Sequence, residues 1–500
     1  MPPDAQDPTI PRSLPLGVNL AGYFDATLGL GEAARQVEAA LRAAGVAVAR
    51  VPLAHPSAPA ATAPSERADH PVTVVCVSPE GMDAARAQAP AAFAGRRVVG
   101  LWWWEVLAFP SRWMRAFDDV DEVWVGSRFV ADVLGAVSPV PVVRMPMPVA
   151  ARGSSGAGRA ALGLPAGFLF GFVFDYSSVV ERKNPVGLIE AFSRAFPAGG
   201  DHGAALVLKT LAGDRHPREH AAVMAAAERH PDVHVIDRDL PAADRDALIG
   251  ALDCYVSLHR SEGFGLTIAE AALLGTPVIA TDYGGPRDFL TPFNSALVDR
   301  RIVPIGPGHD PYPPEGEWAE PDLDHAAARM REVRAAPAEA QERAARARAD
   351  VEREHAPAAA GGAMAERLAR VLGAPHGRDG SVAAVDVGGV AERIRQGPAG
   401  GAAATTALGR ARGTVRTALL RALRPYSVHQ RLVDEELVRL VRTLDERVRG
   451  IAAAQTSLAA EVARLRDGAE AATVERDAGP GEDAGRSVPD RDRVPPSAGS

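Results

Sequence analysis

The sequence predicts an α/β protein with two Rossmann-like domains, each a doubly wound parallel sheet, that face a cleft and precede a helical C-terminal tail. Short apolar runs alternate with amphipathic helical segments along most of the chain, which is typical of parallel strands joined by crossover helices. A stretch rich in Gly and Ser, residues 150–161, interrupts this alternation once. We therefore expect two domains on either side of it.

The first domain spans residues 15–150 and the second spans residues 162–321. In the first, the apolar runs are LGVNLAGYF, PVTVVCVS, RRVVGLWWW, DEVWVGS and PVVRMP, and the helix GEAARQVEAALRAAG ends at Gly45. In the second, the runs are FLFGFVFDY, ALVLKT, VHVIDRD, CYVSLH, PVIATD and SALVD, with helical segments between them. Residues 322–372, rich in Ala and Arg, predict helices that pack back toward the first domain.

Beyond residue 372 the character of the sequence changes. Residues 373–410, rich in Gly and Ala with weak periodicity, read as a linker, and residues 469–500 read as a disordered tail, because residues 477–500 lack apolar side chains to bury. Residues 411–468 predict a helix in which apolar positions from Leu437 to Leu465 alternate in steps of four and three. This pattern favours self-association through a coiled coil at 437–465, and the alternative is an amphipathic helix that packs on its own chain.

Composition and charge restrict the class of protein. The formal net charge is −8, so the chain lacks the basic field that nucleic-acid binding requires. The two cysteines, Cys76 and Cys254, lie in apolar runs and indicate a reducing compartment. Since we find no basic leader and no long apolar segment, we expect a cytoplasmic protein. Residues 410–424 carry arginines among leucines, which indicates either peripheral contact with anionic lipid or a solvated helix.

The strongest chemical signal is the segment SLHRSEGFGLTIAEAALLGTPVIATDYGG. Glu262 and Glu270 flank a Gly-Phe-Gly turn, after which a helix is predicted to begin near Gly265. The free N–H groups at a helix N-terminus and its dipole hold a pyrophosphate at the carboxyl end of a strand. Carboxylates accept hydrogen bonds from vicinal hydroxyls, so Glu270 suits a ribose and Glu262 the transferred sugar. The turn residues predicted to contact the donor are Gly263, Phe264, Gly265, Leu266 and Thr267.

This segment resembles the Glu-x(7)-Glu signature of family 4 retaining glycosyltransferases, which have the GT-B fold. The resemblance covers most of residues 15–372 and includes VFDYSSVVERKNPVGLIEAF, WWWEVLAFPSRWMRAFDDVDEVWVGSRFV, NSALVD and WAEPDLDHAA. Together these segments resemble bacterial members that build surface polysaccharides. The resemblance implies that the first domain binds the acceptor and that the second binds a nucleotide-sugar donor.

A basic pair after the first strand of the second domain binds the donor phosphates in this family, and Arg182 and Lys183 occupy the matching positions. The resemblance therefore implies that Lys183 and Glu262 are catalytic and that Arg182 contacts the donor. Many members carry an Arg where this chain has Ser177, so we expect Lys209, at the end of ALVLKT, to supply that charge. The alternative for Lys209 is a lysine that only extends from a strand end toward solvent.

Loops of the first domain supply further candidates for contact with the donor or the acceptor. Gly29 and Gly31 lie between a strand and a helix, where a glycine turn approaches the donor or simply forms the turn. In the WWWE run, we expect Trp103 in the core and Trp104 and Glu105 at the acceptor. His259 either contacts the sugar or is a hydrogen-bonded structural histidine.

These patterns predict transfer of a hexose from a nucleoside diphosphate sugar to a glycan or lipid-linked acceptor, with retention of configuration. Fixed cations stabilise the charge on the departing diphosphate, and we identify neither an Asp-x-Asp motif after a strand nor a His/Cys cluster with ligand spacing, so we expect neither a metal nor a cofactor. We expect the enzyme at the inner membrane face if it contacts lipid. Two alternatives stay open: a catalytically silent sugar-nucleotide-binding scaffold subunit, and a nucleotide-sugar epimerase on the same fold.

Overall fold

The computed structural model describes residues 16–26, 28–55, 68–151 and 155–373. The predicted linker, coiled coil and tail lie outside these residues. Within them, the predicted fold class is confirmed: two six-stranded sheets, parallel throughout, are covered by helices. None of the described helices combines the length and the apolar character needed to span a bilayer.

The sheet of the first lobe has the strand order β2-β1-β3-β4-β5-β6. Because β1 lies between β2 and β3, the direction of winding reverses beside β1, and the loops after β1 and β3 diverge there. Strand β2 was missed by the sequence analysis, since its sequence AVARVP is an exposed edge with little alternation. The strands are β1 Gly17–Gly22, β2 Ala47–Pro52, β3 Val72–Cys76, β4 Arg97–Trp102, β5 Glu122–Val125 and β6 Val142–Arg144.

Three α-helices connect these strands. The first is amphipathic and buries a face rich in alanine against the sheet. Ser127 caps the third helix by accepting a hydrogen bond from the Val130 N–H at 3.2 Å. The helices are α1 Gly29–Ala43, α2 Met82–Gln88 and α3 Arg128–Gly135.

The sheet of the second lobe has the order β12-β11-β10-β7-β8-β9. Its first strand, β7, therefore lies between β8 and β10, and the loops after β7 and β10 open a crevice where the winding reverses. Both loops carry residues singled out from the sequence. The strands are β7 Phe168–Asp175, β8 Ala204–Leu211, β9 Val233–Asp237, β10 Cys254–Ser257, β11 Val278–Thr281 and β12 Ala296–Val298. The helices are α4 Arg159–Leu162, α5 Val180–Lys183, α6 Pro185–Ala195, α7 Pro217–Ala227, α8 Ala242–Ala251 and α9 Leu266–Leu273.

A hairpin and three helices complete the described chain. Strands β13 Arg300–Pro304 and β14 Glu317–Pro321 pair antiparallel, which the sequence analysis did not predict. Helices α10 Leu323–Ala335 and α11 Pro337–His355 pack on α6 and α9 of the second lobe. Helix α12 Pro357–Gly373 packs instead on α1, where a Cβ at Gly361 would lie 2.0 Å from the Ala40 carbonyl oxygen. The last of the described helices thus joins the second lobe to the first.

Candidate functional site

A cleft of about 530 Å³ separates the carboxyl ends of the two sheets, and both lobes line it. Of the candidate residues predicted from the sequence, Gly31 and His259 are not part of its wall. The predicted residues that line the cleft are Gly29, Trp104, Glu105, Arg182, Lys183, Lys209, Glu262, Gly263, Phe264, Gly265, Leu266, Thr267 and Glu270. The fold therefore gathers distant parts of the sequence at one place.

Lys183 and Glu262 contact each other at the crevice of the second lobe. Lys183 ends the short helix after β7, and Glu262 lies on the loop after β10. The Lys183 Nζ lies 2.5 Å from Glu262 Oε1, and Arg182 Nη1 lies 3.2 Å from Glu262 Oε2. One carboxylate is thus shared by two cations at the point where the strand order reverses.

The charged state of Glu262 follows from these contacts. Burial by itself would raise the pKa of this carboxyl, but the positive charges of Lys183 and Arg182 outweigh burial and lower the pKa to about 2. Glu262 is therefore ionised at neutral pH. It offers a fixed hydrogen-bond acceptor at the cleft wall.

Arg182 anchors the loop that carries Glu262. Its guanidinium donates to the Ser261 carbonyl at 2.8 Å and to the Ser178 carbonyl at 3.2 Å, and its side chain is 4% exposed. The Arg260 N–H donates in turn to the Arg182 carbonyl at 2.7 Å. These bonds hold the loops after β7 and β10 together, and the predicted contact of Arg182 with the donor stays a prediction.

The backbone on either side of Lys183 adopts uncommon angles. Val179 and Asn184 have φ values of 57° and 55°, although neither is glycine. Asn184 compensates with its side chain, which accepts from the Gly187 N–H at 3.2 Å and donates to the Leu258 carbonyl at 3.0 Å. Such backbone conformations persist only where surrounding contacts impose them, and they concentrate at functional sites. The asparagine of the ERKNP motif therefore fixes the direction in which Lys183 leaves the helix.

The glycine turn before α9 also brings the lobes together. Gly265 has a φ of 84°, which favours glycine, and α9 begins immediately after it. A Cβ at Gly263 would lie 2.3 Å from the Trp104 carbonyl oxygen of the first lobe. Ser127, also from the first lobe, donates to the Gly263 carbonyl at 2.5 Å. Gly263 is thus required for the lobes to approach, beyond any contact with a ligand.

Glu270 lies deeper in the cleft and joins groups from both lobes. Arg245 Nη2, on α8, lies 3.0 Å from Glu270 Oε1, and Gln36 of α1 donates to the same oxygen at 3.4 Å. Oxygen Oε2 of Glu270 has no hydrogen-bond partner in the described structure, and it is buried. Burial raises the pKa of Glu270 to about 7, although Arg245 opposes the shift. An unsatisfied buried carboxylate oxygen beside a cleft indicates a position for a ligand hydroxyl.

Lys209 projects from β8 toward the cleft. Its ammonium group donates to the Thr210 carbonyl at 2.5 Å, and burial lowers the pKa of Lys209 to about 8. Ser177 lies on the same wall and hydrogen-bonds His216 at 3.2 Å. A lysine that merely extended toward solvent would be exposed, whereas Lys209 is 2% exposed.

Three first-lobe assignments change once the packing is known. A Cβ at Gly31 would lie 2.4 Å from the Ala26 carbonyl oxygen, so Gly31 lets the first turn of α1 approach the loop after β1, and it does not line the cleft. Trp103, expected in the core, is only partly buried and lines the cleft, because side chains alternate along the end of β4. Trp104 is 2% exposed, and its ring packs edge to face on Trp113 and Tyr312. It touches the cleft only at the edge.

His259 is a structural histidine. Its Nδ1 lies 3.0 Å from the Ser257 hydroxyl and its Nε2 lies 3.1 Å from the Tyr283 carbonyl oxygen. The ring is fully buried and does not line the cleft. The position of His259 thus agrees with a hydrogen-bonded structural histidine and not with a contact to the sugar.

Two groups of residues bear on metal binding. Asp237 and Asp239 form an Asp-x-Asp pattern at the end of β9, so the expectation that no such motif follows a strand is wrong. Asp237 accepts from the Thr210 hydroxyl at 2.8 Å and faces His220 at 3.2 Å, so protein groups already satisfy it. The other group, His202, His230 and Asp232, has its ligand atoms within 4.8 Å of one another.

The hydrogen bonds of that second group oppose metal ligation. The Ala204 N–H donates to His202 Nδ1 at 3.2 Å, so the proton of the neutral ring lies on Nε2, which faces Asp232 at 3.5 Å. A metal at Nε2 would require His202 to give up that backbone hydrogen bond. The contacts favour a histidine–aspartate pair at this place.

A second cavity, of about 460 Å³, lies where the winding of the first sheet reverses, and it opens into the cleft. Tyr23, after β1, and Glu80, after β3, line it together with His55 and Ser78. The side chain of Glu80 is exposed, and its recorded hydrogen bond is a long one of 3.4 Å from the Ser78 hydroxyl. The sequence analysis named none of these four residues, nor Arg245 and Tyr312 in the cleft.

Comparisons with known proteins agree with this geometry. Residues 171–301 match the family model described as glycosyl transferases group 1. D-inositol 3-phosphate glycosyltransferase of Mycolicibacterium vanbaalenii is 33% identical over 175 residues, which are 33% of this chain and 34% of that protein. The chain thus aligns with about a third of the length of this curated relative.

Solved structures resemble most of the described chain. Sucrose-phosphate synthase from Thermosynechococcus elongatus superposes with a TM-score of 0.55 at 17% identity, covering 72% of this chain and 100% of that chain. Anabaena HepE, solved with UDP and glucose, superposes with a TM-score of 0.53 at 14% identity, covering 71% and 100%. These likenesses establish the GT-B fold. Residues 171–301 of the second lobe therefore match the glycosyl transferases group 1 model within a GT-B fold.

Proposed function

We propose that this protein is a retaining glycosyltransferase that moves a hexose from a nucleoside diphosphate sugar to a hydroxyl of a glycan or lipid-linked acceptor, without a metal. The observation that carries this proposal is the contact of Lys183 and Arg182 with Glu262 at the reversal point of the second sheet, facing a cleft that the first lobe closes. Ligands of open α/β sheets bind in that crevice.

The donor would occupy the wall formed by the second lobe. The nucleoside diphosphate fits between Lys183, Lys209 and the N-terminus of α9, where cations and backbone N–H groups oppose its charge. Glu270, with one unsatisfied oxygen, suits the ribose hydroxyls. HepE was solved with UDP and glucose, which supports UDP-glucose as the first donor to assay.

Catalysis would consist of positioning and electrostatic stabilisation. The bond between the anomeric carbon and the β-phosphate oxygen breaks, the acceptor oxygen bonds to that carbon on the same face, and the acceptor proton passes to the departing phosphate. Lys183 and Lys209 stabilise the negative charge that develops on the diphosphate. Glu262, ionised at neutral pH, accepts hydrogen bonds from the sugar hydroxyls. No protein nucleophile is required in this scheme.

The acceptor would enter from the first-lobe cavity. Tyr23, Ser78 and Glu80 present a phenol, a hydroxyl and a carboxylate, which suit a ligand rich in hydroxyl groups. The cavity shares His55 and Glu80 with the main cleft, so an acceptor bound there would reach the donor sugar. The acceptor of the curated relative is named as D-inositol 3-phosphate, and inositol phosphate is therefore one acceptor to assay.

A donor panel tests this function and separates it from the alternatives. The full-length protein is incubated with UDP-, GDP- and dTDP-sugars, with and without glycan acceptors and with and without EDTA. We expect the nucleoside diphosphate to be released only when an acceptor is present, and we expect this release to persist in EDTA. The glycosidic bond of the product should have the same configuration at the anomeric carbon, axial or equatorial, as the bond in the donor. Epimerised donor without transfer would favour an epimerase, and nucleotide binding without turnover would favour a scaffold. Loss of activity in EDTA would refute metal-independent transfer.

A further inference from the structure

The loop between β13 and β14 crosses from the second lobe to the first. Tyr312, at its tip, is 6% exposed, and its ring packs on Trp104 with the centroids 5.4 Å apart. On the outer surface of the same loop, Arg112 of the first lobe lies 3.0 Å from Asp310. The loop therefore contacts the first lobe through the buried Tyr312 and, on its outer surface, through Asp310 and the Pro311 carbonyl, to which Arg112 donates at 3.0 Å.

A continuous series of hydrogen bonds connects the tip of this loop to the catalytic candidates. The Tyr312 hydroxyl donates to Glu105 Oε2 at 3.0 Å, and the backbone carbonyl of Glu105 accepts from the Ser261 hydroxyl. The Ser261 carbonyl accepts from Arg182 at 2.8 Å, and Arg182 pairs with Glu262. Glu105 is thus the point where the first lobe holds both the loop and the Glu262 segment.

The base of the hairpin is fixed to the same segment. Arg260 forms two hydrogen bonds with the Glu320 carboxylate, at 2.6 Å and 3.1 Å, and donates to the Glu181 carbonyl at 2.7 Å. The Ala319 N–H donates to the Arg260 carbonyl at 2.9 Å. Since such bidentate pairs are geometrically specific, movement of the hairpin would move the segment that carries Arg260, Ser261 and Glu262.

The direction of the Tyr312 hydrogen bond is fixed over the usual pH range. Burial raises the pKa of Tyr312 well above its ordinary value, and the charge of Glu105 adds to this although Arg182 opposes it. The phenol therefore remains a donor. The side chain at position 105 therefore has only to present an oxygen that accepts this hydrogen bond.

We propose that Tyr312 and Glu105 are positioning residues, and that their hydrogen bond holds the Lys183–Glu262 pair in register with the first lobe when the cleft is closed. This inference rests on the proposed function for its kinetic consequence. The two residues act through Ser261 and Arg182, so their loss should misalign donor and acceptor more than it weakens donor binding.

The test compares Tyr312→Phe, Glu105→Ala and Glu105→Gln in the full-length protein. Tyr312→Phe keeps the ring on Trp104 and removes only the hydroxyl, and Glu105→Gln keeps an acceptor oxygen. The matched control is Tyr283→Phe, because the Tyr283 hydroxyl is buried without a hydrogen-bond partner among the described residues and lies outside the cleft. For each variant, kcat, donor KM, melting temperature and hydrogen exchange of residues 305–316 are measured.

We expect kcat to fall about tenfold in Tyr312→Phe and Glu105→Ala, as for a lost hydrogen bond to a charged group, with donor KM within about twofold. Glu105→Gln should recover most of kcat, and combining Tyr312→Phe with Glu105→Ala should add little to either alone. A wild-type kcat in Tyr312→Phe, or an equal loss in Tyr283→Phe, would overturn the proposal. If the wild type transfers no sugar, the proposed function fails, and the positioning role is then tested by hydrogen exchange alone. Equal exchange of residues 305–316 in Tyr312→Phe and in the wild type would contradict that role.

Discussion

Lys183 Nζ and Glu262 Oε1 lie 2.5 Å apart although 79 positions separate the two residues in the chain. The contact exists because β7 and β10 are neighbours in the sheet while β8 and β9 lie on the other side of β7. Lys183, which follows β7, and Glu262, which follows β10, therefore meet at a single crevice. Arg182 completes the arrangement, so that one buried carboxylate neutralises part of two positive charges.

Lys183→Met is expected to lower kcat about 100- to 1000-fold, because removal of a fixed charge from a site of developing negative charge has effects of that size. The measurement is diphosphate release from the best donor of the panel, at saturating acceptor. Lys183→Arg should recover little, since a guanidinium is planar and cannot take the place of a compact ammonium. Undiminished turnover in Lys183→Met would remove this residue from the mechanism.

Glu262→Gln is expected to lower the free energy of unfolding by about 3 kcal/mol, because it leaves two cations without their carboxylate. The folded-state pKa of Glu262 is about 2, below its ordinary value of 4.5, so this stabilisation is present above pH 4.5 and is lost as the pH falls toward 2. Denaturant unfolding at pH 7 and pH 3 measures the difference between wild type and variant. The double variant with Lys183→Met should recover stability but not activity, and a pH-independent difference would refute the assignment of charge.

Local sequence patterns could predict the fold and the donor side of the site because both depend on short segments. The Glu262 turn, the Lys183 motif and the strand–helix alternation are each readable within about 20 residues. Glu80 could also have been predicted from the sequence, because it follows an apolar run that ends at the same sheet edge as the turn after LGVNLAGYF. Tyr312 could not, because its loop, GPGHDPYPPEG, is dominated by Gly, Pro and Asp and shows no periodicity, and its partner Glu105 lies about 200 positions away. The hairpin was missed for the same reason, whereas β2 was missed because its exposed-edge sequence shows little alternation.

Glu270→Gln should change how stability depends on pH. The folded-state pKa of Glu270 is about 7, above its ordinary value of 4.5, so the wild type loses stability relative to the variant as the pH rises from 4.5 to 7. The loss is expected to be on the order of 3 kcal/mol for a shift of this size in a buried group. Urea unfolding of both proteins across this range measures it. A constant difference between them would show that Arg245 keeps Glu270 ionised throughout.

Lys209 provides a test of the donor phosphate site. Because burial lowers the pKa of Lys209 to about 8, its charge is lost as the pH rises from 7 to 9. If that charge contacts the diphosphate, donor KM should rise about tenfold over this interval, the effect of losing a hydrogen bond to a charged group. Lys209→Arg keeps its charge at these pH values and should abolish the rise, whereas Lys209→Met should show a high KM at every pH. A donor KM that is flat in the wild type would exclude contact between Lys209 and the phosphates.

The position of Glu80 in the first-lobe cavity leads to a prediction about acceptor binding. Glu80 is exposed in that cavity, where an ionised carboxylate accepts hydrogen bonds from acceptor hydroxyls and repels an acceptor phosphate. Glu80→Gln should therefore raise KM for an uncharged glycan about fivefold, lower KM for inositol phosphate, and leave donor KM unchanged. Glu366→Gln, an exposed residue of α12 paired with Arg370, is the matched control and should alter none of these values. If Glu80→Gln shifts donor KM and acceptor KM equally, the cavity is not the acceptor site, because a group that touches only the acceptor cannot weaken donor binding by the same factor.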